Sequence, residues 1–316
     1  MSANAIVIGH LTLASGKQKS TIDDRIAATA NTQDQGINMP GSRYRPSAVD
    51  GLPARISGQW AKEKLKYLDK YMHLFNVGMK NRWHNRVFFD LLAGCGKCVD
   101  EDTGEEFDGS PLRAVQCDEP FTQVICVESD PGLADALEQR TTGKAVVIRD
   151  DCNSPKVIEQ LRASLGYGIL GLAFVDNLGL DVPLSTIAAL TESRLLDLFI
   201  VFQIGDIKRN IRDVLAGRDQ PDRFDAFFGE GWRDVAIQAE RENLTADETT
   251  TRLLDFYAGK LKGLDYDHIA HSRRVMKNST GVGLYRLILA GRHERAVDFF
   301  NKVSAIDPWG QRDFGF

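Results

Sequence analysis

Short apolar runs alternate with amphipathic stretches along most of this chain. Val87-Phe-Phe89, Gln123-Val-Ile-Cys-Val-Glu128, Ala145-Val-Val-Ile-Arg-Asp-Asp151-Cys-Asn153, Ile169-Leu-Gly-Leu-Ala-Phe-Val-Asp176 and residues 195–204 are β-favouring segments. Runs that stay apolar without alternating fit strands covered on both faces of a parallel sheet. Between them, apolar positions recur at helical spacing, as at Leu65, Leu68, Met72 and Phe75, and again at Leu133 and Leu137. Ser110-Pro111, Ser129-Asp130-Pro131 and Ser154-Pro155 read as helix starts, a capping residue followed by proline at the first helical position. Strands alternating with helices predict an α/β fold with a doubly wound, mostly parallel, Rossmann-like sheet.

The flanks depart from this alternation. Residues 1–50 read as an N-terminal extension, with a strand-like run at 5–13 and a loop rich in Asn, Gln, Gly, Pro and Ser at 31–47. Residues 51–316 read as the α/β domain. Its acidic excursion at 98–115 is a solvated loop or, since it leaves directly from a glycine turn, a lid near a ligand. A helical insertion is expected around 206–264, with Phe224, Phe227, Phe228 and Trp232 in its first half and a long helical pattern over 245–261. Residues 267–277 and 283–290 each read as a strand, with Asn278-Ser-Thr-Gly281 between them as the turn of a C-terminal hairpin.

Composition narrows the class. At 316 residues the chain is long enough to bury a large core. A formal charge of −5 argues against a generally basic nucleic-acid binder and leaves room for a local basic groove. Five cysteines, an odd number scattered over the presumed core, favour a reducing, cytoplasmic setting over a disulfide framework. No apolar run is long enough to span a membrane. The first residues lack a basic start, and Gly9 and His10 break their apolar run, so secretion is not expected.

The chemistry gathers at the ends of the strands. In Arg86-Val-Phe-Phe-Asp-Leu-Leu-Ala-Gly-Cys-Gly-Lys97, an acid closes the first strand and Gly94 and Gly96 follow as a bend without side chains. In an open α/β sheet, ligands bind at that edge. A dinucleotide fingerprint fails because Val99 holds the third glycine position, and a P-loop fails because Leu91 and Cys98 hold required positions. Glu128 ends the second strand, where two acceptor oxygens suit the two hydroxyls of a ribose. Asp150 or Asp151, ending the third, could accept from an adenine amino group, or one of them could cap the following helix.

Asp90-x-x-x-Gly94-x-Gly96 resembles the first motif of class I S-adenosylmethionine-dependent methyltransferases. That resemblance implies that the bend lies against the methionine part of the cofactor while the acid orients its amino group. The hairpin near the end would then supply the last two strands of such a sheet, one of them antiparallel. A wider set of stretches is similar to the three-Cys-motif partner (TcmP) family, bacterial and phage-associated proteins of methyltransferase-like fold. These are Lys62-Glu-Lys-Leu-Lys-Tyr-Leu-Asp-Lys-Tyr71, Phe89-Asp-Leu-Leu-Ala-Gly-Cys-Gly-Lys97, Gly109-Ser-Pro-Leu-Arg113, Val127-Glu-Ser-Asp-Pro131, Phe174-Val-Asp-Asn-Leu-Gly179, Val182-Pro-Leu-Ser-Thr-Ile187 and Asp307-Pro-Trp-Gly-Gln-Arg312. The resemblance implies S-adenosylmethionine bound at Asp90, Gly94, Gly96, Glu128, Asp150 and Asp151. It implies catalytic positions at Asp176 and Asn177, and a partner protein carrying the three-cysteine motif. Two departures stand out. Cys95 replaces a proline of the family's glycine turn, and Asp176-Asn-Leu-Gly179 replaces an Asp-Pro-aromatic-Gly segment, so the aromatic that would stack on a nucleobase is missing.

Three readings therefore compete. One is a methyltransferase acting on nucleic acid, a modified base or a small molecule, with Asp176 orienting or deprotonating the acceptor. The second is a cofactor-binding subunit that supports a partner. The third is a metal-dependent nuclease built from Asp90, Glu128, Asp151 and Asp176. Cys95-x-x-Cys98 lacks a second pair, and His268 and His271 face opposite sides of a strand, so no zinc site is expected. Lys208-Arg209-x-x-Arg212 and Arg273-Arg274-x-x-Lys277 are solvated faces or phosphate contacts.

Overall fold

The computed structural model describes residues 43–192, 194–218 and 221–306. The strand-like run at 5–13, most of the 31–47 loop and the Asp307–Arg312 motif lie outside the described residues. The chain runs β1 (Tyr44–Pro46), β2 (Pro53–Ser57), α1 (Gln59–Met79), β3 (Asn85–Asp90), β4 (Lys97–Asp100), β5 (Glu106–Asp108), α2 (Ser110–Val115) and β6 (Gln123–Val127). It continues through α3 (Pro131–Thr141), β7 (Val146–Ile148), α4 (Pro155–Ala163), β8 (Ile169–Val175), α5 (Leu184–Thr191) and β9 (Leu196–Phe202). Four helices follow, α6 (Ile204–Leu215), α7 (Pro221–Phe228), α8 (Trp232–Arg241) and α9 (Ala246–Lys262). The last elements are β10 (His268–His271), β11 (Met276–Lys277), β12 (Gly283–Gly291) and α10 (Glu294–Ser304).

The main sheet has the order β10-β12-β9-β8-β3-β6-β7, with β11 paired to β12. The pairs from β9 through β7 are parallel, whereas β12 runs antiparallel to both β9 and β10. The fold is thus α/β, with a doubly wound, mostly parallel sheet. Its apolar runs behave as strands buried on both faces should: every residue of β9 is buried. One face is covered by α1, α2, α3 and α10, whose Leu68, Phe75, Ala114, Leu137 and Phe300 share a core with Phe88, Phe174 and Phe199. The other is covered by α4 to α9, where Phe224, Phe227, Phe228, Trp232 and Tyr257 pack with Phe202. The aromatic positions after residue 220 are therefore core. Phe227 and Tyr257 stack with centroids 4.6 Å apart.

Four details differ from the sequence expectation. The acidic excursion is neither an open loop nor a free lid: β4 and β5 form a hairpin in a second sheet ordered β1-β2-β4-β5. There β2 pairs parallel with β4, Arg55 with Cys98 and Ile56 with Val99, so segments separated by all of α1 and β3 build one unit. The cap of α2 is Gly109 rather than Ser110. The third strand covers only Val146–Ile148, because Asp150 and Asp151 engage in turn contacts instead. The run at 267–277 is broken in two, since Ser272 turns its hydroxyl onto the backbone, accepting from Leu287 N–H and donating to Arg274 carbonyl. His268 and His271 do lie on one short strand, β10.

Candidate active site

Three strand tips and one bend define the site. Asp90 is the last residue of β3 and pairs in register with Cys126 of β6 on one side and Phe174 of β8 on the other. Glu128 and Asp176 directly follow β6 and β8, so all three carboxylates leave the same carboxyl edge. The backbone ties the bend to both neighbours: Leu91 N–H donates to Phe174 carbonyl at 3.2 Å, and Ala93 N–H to Val127 carbonyl at 3.0 Å. Gly94 and Gly96 have φ of +63° and +80°, where glycine is strongly favoured. They differ in surroundings. A Cβ on Gly94 would meet nothing within 4 Å, so the bend is open there, whereas one on Gly96 would lie 2.9 Å from Leu137 Cδ1.

Glu128 fixes this bend. One of its oxygens accepts from Gly94 N–H and the other from Asp130 N–H, both at 2.8 Å. Burial raises its carboxyl above the ordinary range, against the pull of these amide donors. A carboxylate offers about four acceptor positions, so each Glu128 oxygen retains capacity for a ligand hydroxyl.

Asp90 is fully buried, and neither of its carboxylate oxygens has a partner in hydrogen-bonding geometry among the described residues. Burial pushes its carboxyl up to about 7, with Asp176 adding to the rise, while Ser110 and the Leu92 amide are close enough to oppose it without forming a well-aligned bond. Asp176 pairs through one oxygen with Lys64 of α1, and its other oxygen is buried and unpartnered. Three orphaned acceptor atoms therefore gather at two adjacent strand tips. Unpaired buried acceptors are costly, and a donor-rich ligand group would relieve them.

The hollow beside them is lined by Trp60, Ala61 and Lys64 of α1, by residues 92–98, and by Ser110, Asp176 and Leu178. It measures about 70 Å³, roughly the share of two water molecules. That admits the small head of a ligand, whose bulk would lie along the open side of the bend. The second sheet supports this wall. Arg140 of α3 donates to Cys95 carbonyl and Pro53 carbonyl, both at 2.7 Å, and binds Asp50, thereby joining the bend to the strands before α1.

No protein-family model matches the chain, and no curated protein matches it. Solved structures show weak likenesses. The chain is similar to protein LPL1258 from Legionella pneumophila at 10% identity, covering 78% of this chain and 94% of that one, with a TM-score of 0.44. It is similar to Trm1 from Pyrococcus horikoshii with S-adenosyl-L-methionine at 12% identity, covering 80% of this chain but 60% of that one, with a TM-score of 0.42. The O-methyltransferase from Bacillus cereus in complex with SAH matches at 10% identity over 74% and 91%, with a TM-score of 0.38.

The other sequence candidates fall outside this hollow. Asn177 is buried, its side-chain oxygen accepting from Val182 N–H at 3.2 Å, which makes it a brace for the loop after β8. Asp150 accepts from Asp151 N–H, and Asp151 from Asn153 N–H, so both shape the turn before α4. No group of three or more His, Cys, Asp or Glu side chains is placed to hold a metal ion among the described residues. All five cysteines are free thiols, and no described helix is long and apolar enough to cross a membrane. Lys64, Trp60 and Tyr285 were not singled out from the sequence as site residues. Lys64 carried a readable signal, a cation between Ala61, Leu65 and Leu68 on the buried face of α1.

Proposed function

We propose that this protein is an S-adenosylmethionine-dependent methyltransferase. The observation that carries the reading is the open bend at Gly94 set beside the unpartnered carboxylate of Asp90, with Glu128 one strand away on the same edge. Asp90 would receive the amino group of the methionine moiety, a charged donor matched to a buried acceptor that lacks one. Glu128 would receive ribose hydroxyls, and Asp150 or Asp151, in the turn after β7, would lie nearest the adenine. When bound, the cofactor supplies an activated methyl group on its sulfonium. The chain supplies position and exclusion of water, the main requirements of a direct displacement. Asp176 would orient the acceptor and take up its proton, with Lys64 holding one of its oxygens in place. The sheet order, in which one antiparallel strand lies next to the edge, agrees with this reading, as does the resemblance to three-Cys-motif partner proteins. That resemblance also favours a partner protein bearing the cysteine motif, while the five unpaired cysteines favour a reducing cytoplasm as the setting.

A second reading is favoured by one observation. Leu178, at the position of the stacking aromatic, is 40% exposed, and Asn177 is turned inward. A chain that binds cofactor but serves a partner would tolerate both.

Thermal unfolding with S-adenosylmethionine, S-adenosylhomocysteine and NAD separates the ligand classes, because a ligand that binds only the folded state raises Tm. Both adenosyl compounds should raise Tm by several degrees and NAD should not. Transfer of labelled methyl to nucleic acid or small-molecule pools, lost in Asp176→Asn, would establish the enzyme. A Tm shift without any transfer favours the subunit, and no shift with either adenosyl compound defeats both readings.

A further inference from the structure

Two neighbouring residues of β12 face opposite sides of the sheet. Tyr285 turns toward α1, where its hydroxyl donates to Trp60 carbonyl beside the proposed active site, and the Asp176 charge helps raise its pKa after burial. Arg286 turns to the opposite face of the sheet, the one whose core includes Ile288 and Ala290. There it lines a separate cavity of about 280 Å³ with Lys208 of α6, Thr251 of α9, and Lys277 and Gly283 of the β11–β12 hairpin. Arg286 Nε is buried without a hydrogen-bond partner, and neither Arg286 nor Lys277 belongs to an ion pair among the described residues. The carboxylate that faces this cavity is Asp247, 80% exposed and paired with Lys208. Three cations against one carboxylate leave a net positive hollow on a chain of net charge −5.

The cavity shares an edge with the active site. Arg286 pairs in register with Phe202, the last residue of β9, and β9 lies beside β8, which carries Asp176 at its tip. Neighbouring strands are about 4.8 Å apart, so the strand positions of Asp176 and Arg286 are roughly 10 Å apart along the edge, with the cavity on the face of the sheet away from α1.

We infer that this cavity binds a phosphate group, and that the phosphate belongs to the methyl acceptor, making the acceptor a nucleotide or a nucleic-acid strand. Arg286 supplies a planar, partly desolvated guanidinium, and Lys208 and Lys277 supply mobile point charges, the combination that holds phosphate oxygens. One lysine from each basic group of the sequence, Lys208 and Lys277, thus lines the same hollow, whereas Arg209 pairs with Asp206 and Arg274 with Glu63. The acceptor assignment rests on the methyltransferase reading, whereas phosphate binding does not.

The test is binding of inorganic phosphate, AMP and a fluorescent single-stranded RNA 12-mer to the full chain, the wild type against Arg286→Gln and Lys277→Glu, with the S-adenosylmethionine Tm shift read on every sample. Each variant should weaken phosphate-ligand binding tenfold or more while leaving the S-adenosylmethionine shift intact. Lys277→Glu, at an exposed position, keeps the test valid if Arg286→Gln folds poorly. AMP binding as tightly as the 12-mer identifies a mononucleotide acceptor. Tight binding of the 12-mer alone, falling steeply with salt, identifies a strand. Binding of none of the three, or equal binding by both variants and wild type, overturns the inference. Absence of the S-adenosylmethionine shift in wild type, with phosphate binding intact, overturns only the methyltransferase reading.

Discussion

Lys64, on the buried face of α1, donates to one oxygen of Asp176 at the tip of β8 and leaves the other oxygen unpartnered. The pair joins a helix to the sheet edge across 112 residues of sequence. It also sets a cation beside Asp90, whose own carboxyl burial pushes up to about 7.

Removing the cation alone should cost more than removing both charges. Lys64→Met strands Asp176 with 14% of its side chain exposed. Breaking a buried pair in this way costs about 3 kcal/mol. The double variant Lys64→Met with Asp176→Leu should recover most of that loss. Urea denaturation of the four proteins measures the coupling, and equal loss in single and double variants would show that the pair is not coupled.

Asp90 predicts a pH dependence. Below about 3.8, folded and unfolded chains both hold the proton. Between 3.8 and about 7 the folded chain retains a proton that the unfolded chain has released, so stability falls as pH rises through that window and levels off above it. A tenfold change in proton affinity is worth about 1.4 kcal/mol, which makes the Asp90 contribution on the order of 4 kcal/mol. Asp197, buried at the opposite edge, has a carboxyl also pushed by burial to about 7 and adds a slope of the same sign. Asp90→Asn should therefore flatten the fall in Tm between about pH 4 and 7 by about half, while abolishing the S-adenosylmethionine shift. An unchanged slope would mean that Asp90 is solvated.

The two glycines of the bend should fail differently. Gly94→Ala meets no atom but forces alanine to a φ of +63°, at a cost of about 1 kcal/mol. Its methyl group enters the open side and should weaken cofactor binding tenfold or more. Gly96→Ala drives a methyl against Leu137 and should lower stability by about 2 kcal/mol or more. Chemical denaturation alongside cofactor titration distinguishes them, and the same defect from both would refute the asymmetry.

Arg140 should act as a clasp. Its guanidinium meets Cys95, Pro53, Leu52 and Asp50, and its hydrogen bonds hold the Asp50 carboxyl down to about 2. The stability from that pair is fully present above the ordinary aspartate range and is lost only as pH falls through about 2. Arg140→Ala should destabilise the chain by about 3 kcal/mol and speed amide exchange in residues 43–57 and 93–97 together. Faster exchange in only one of these segments would show that they open independently.

Much of the main sheet could be read from sequence. Its strands are continuous apolar runs, and each ends on a polar residue where the chain leaves the core, so Asp90, Glu128 and Asp176 mark themselves. Caps such as Asp130, which accepts from Leu133 N–H, are local and equally legible. What escaped depends on distant pairing. β4 reads Lys-Cys-Val-Asp, a weak strand by itself, and becomes one by hydrogen bonding to β2. Lys64 shows its place on the buried face of α1, but nothing local names its partner until β8 brings a carboxylate to it. The break at Ser272 follows from one hydroxyl bonding to the facing strand, which local propensity does not encode.

The second sheet has a practical consequence for anyone shortening this protein. Lys97–Asp100 lies between β2 and β5, and β2 arrives from ahead of α1. A chain cut to begin at α1 would keep every strand of the main sheet and every carboxylate of the site. It would nevertheless strip one flank of β4, leaving unsatisfied amides next to the glycine bend, a surface prone to recruit strands from other molecules. Trimming there should yield aggregation before it yields a smaller working domain.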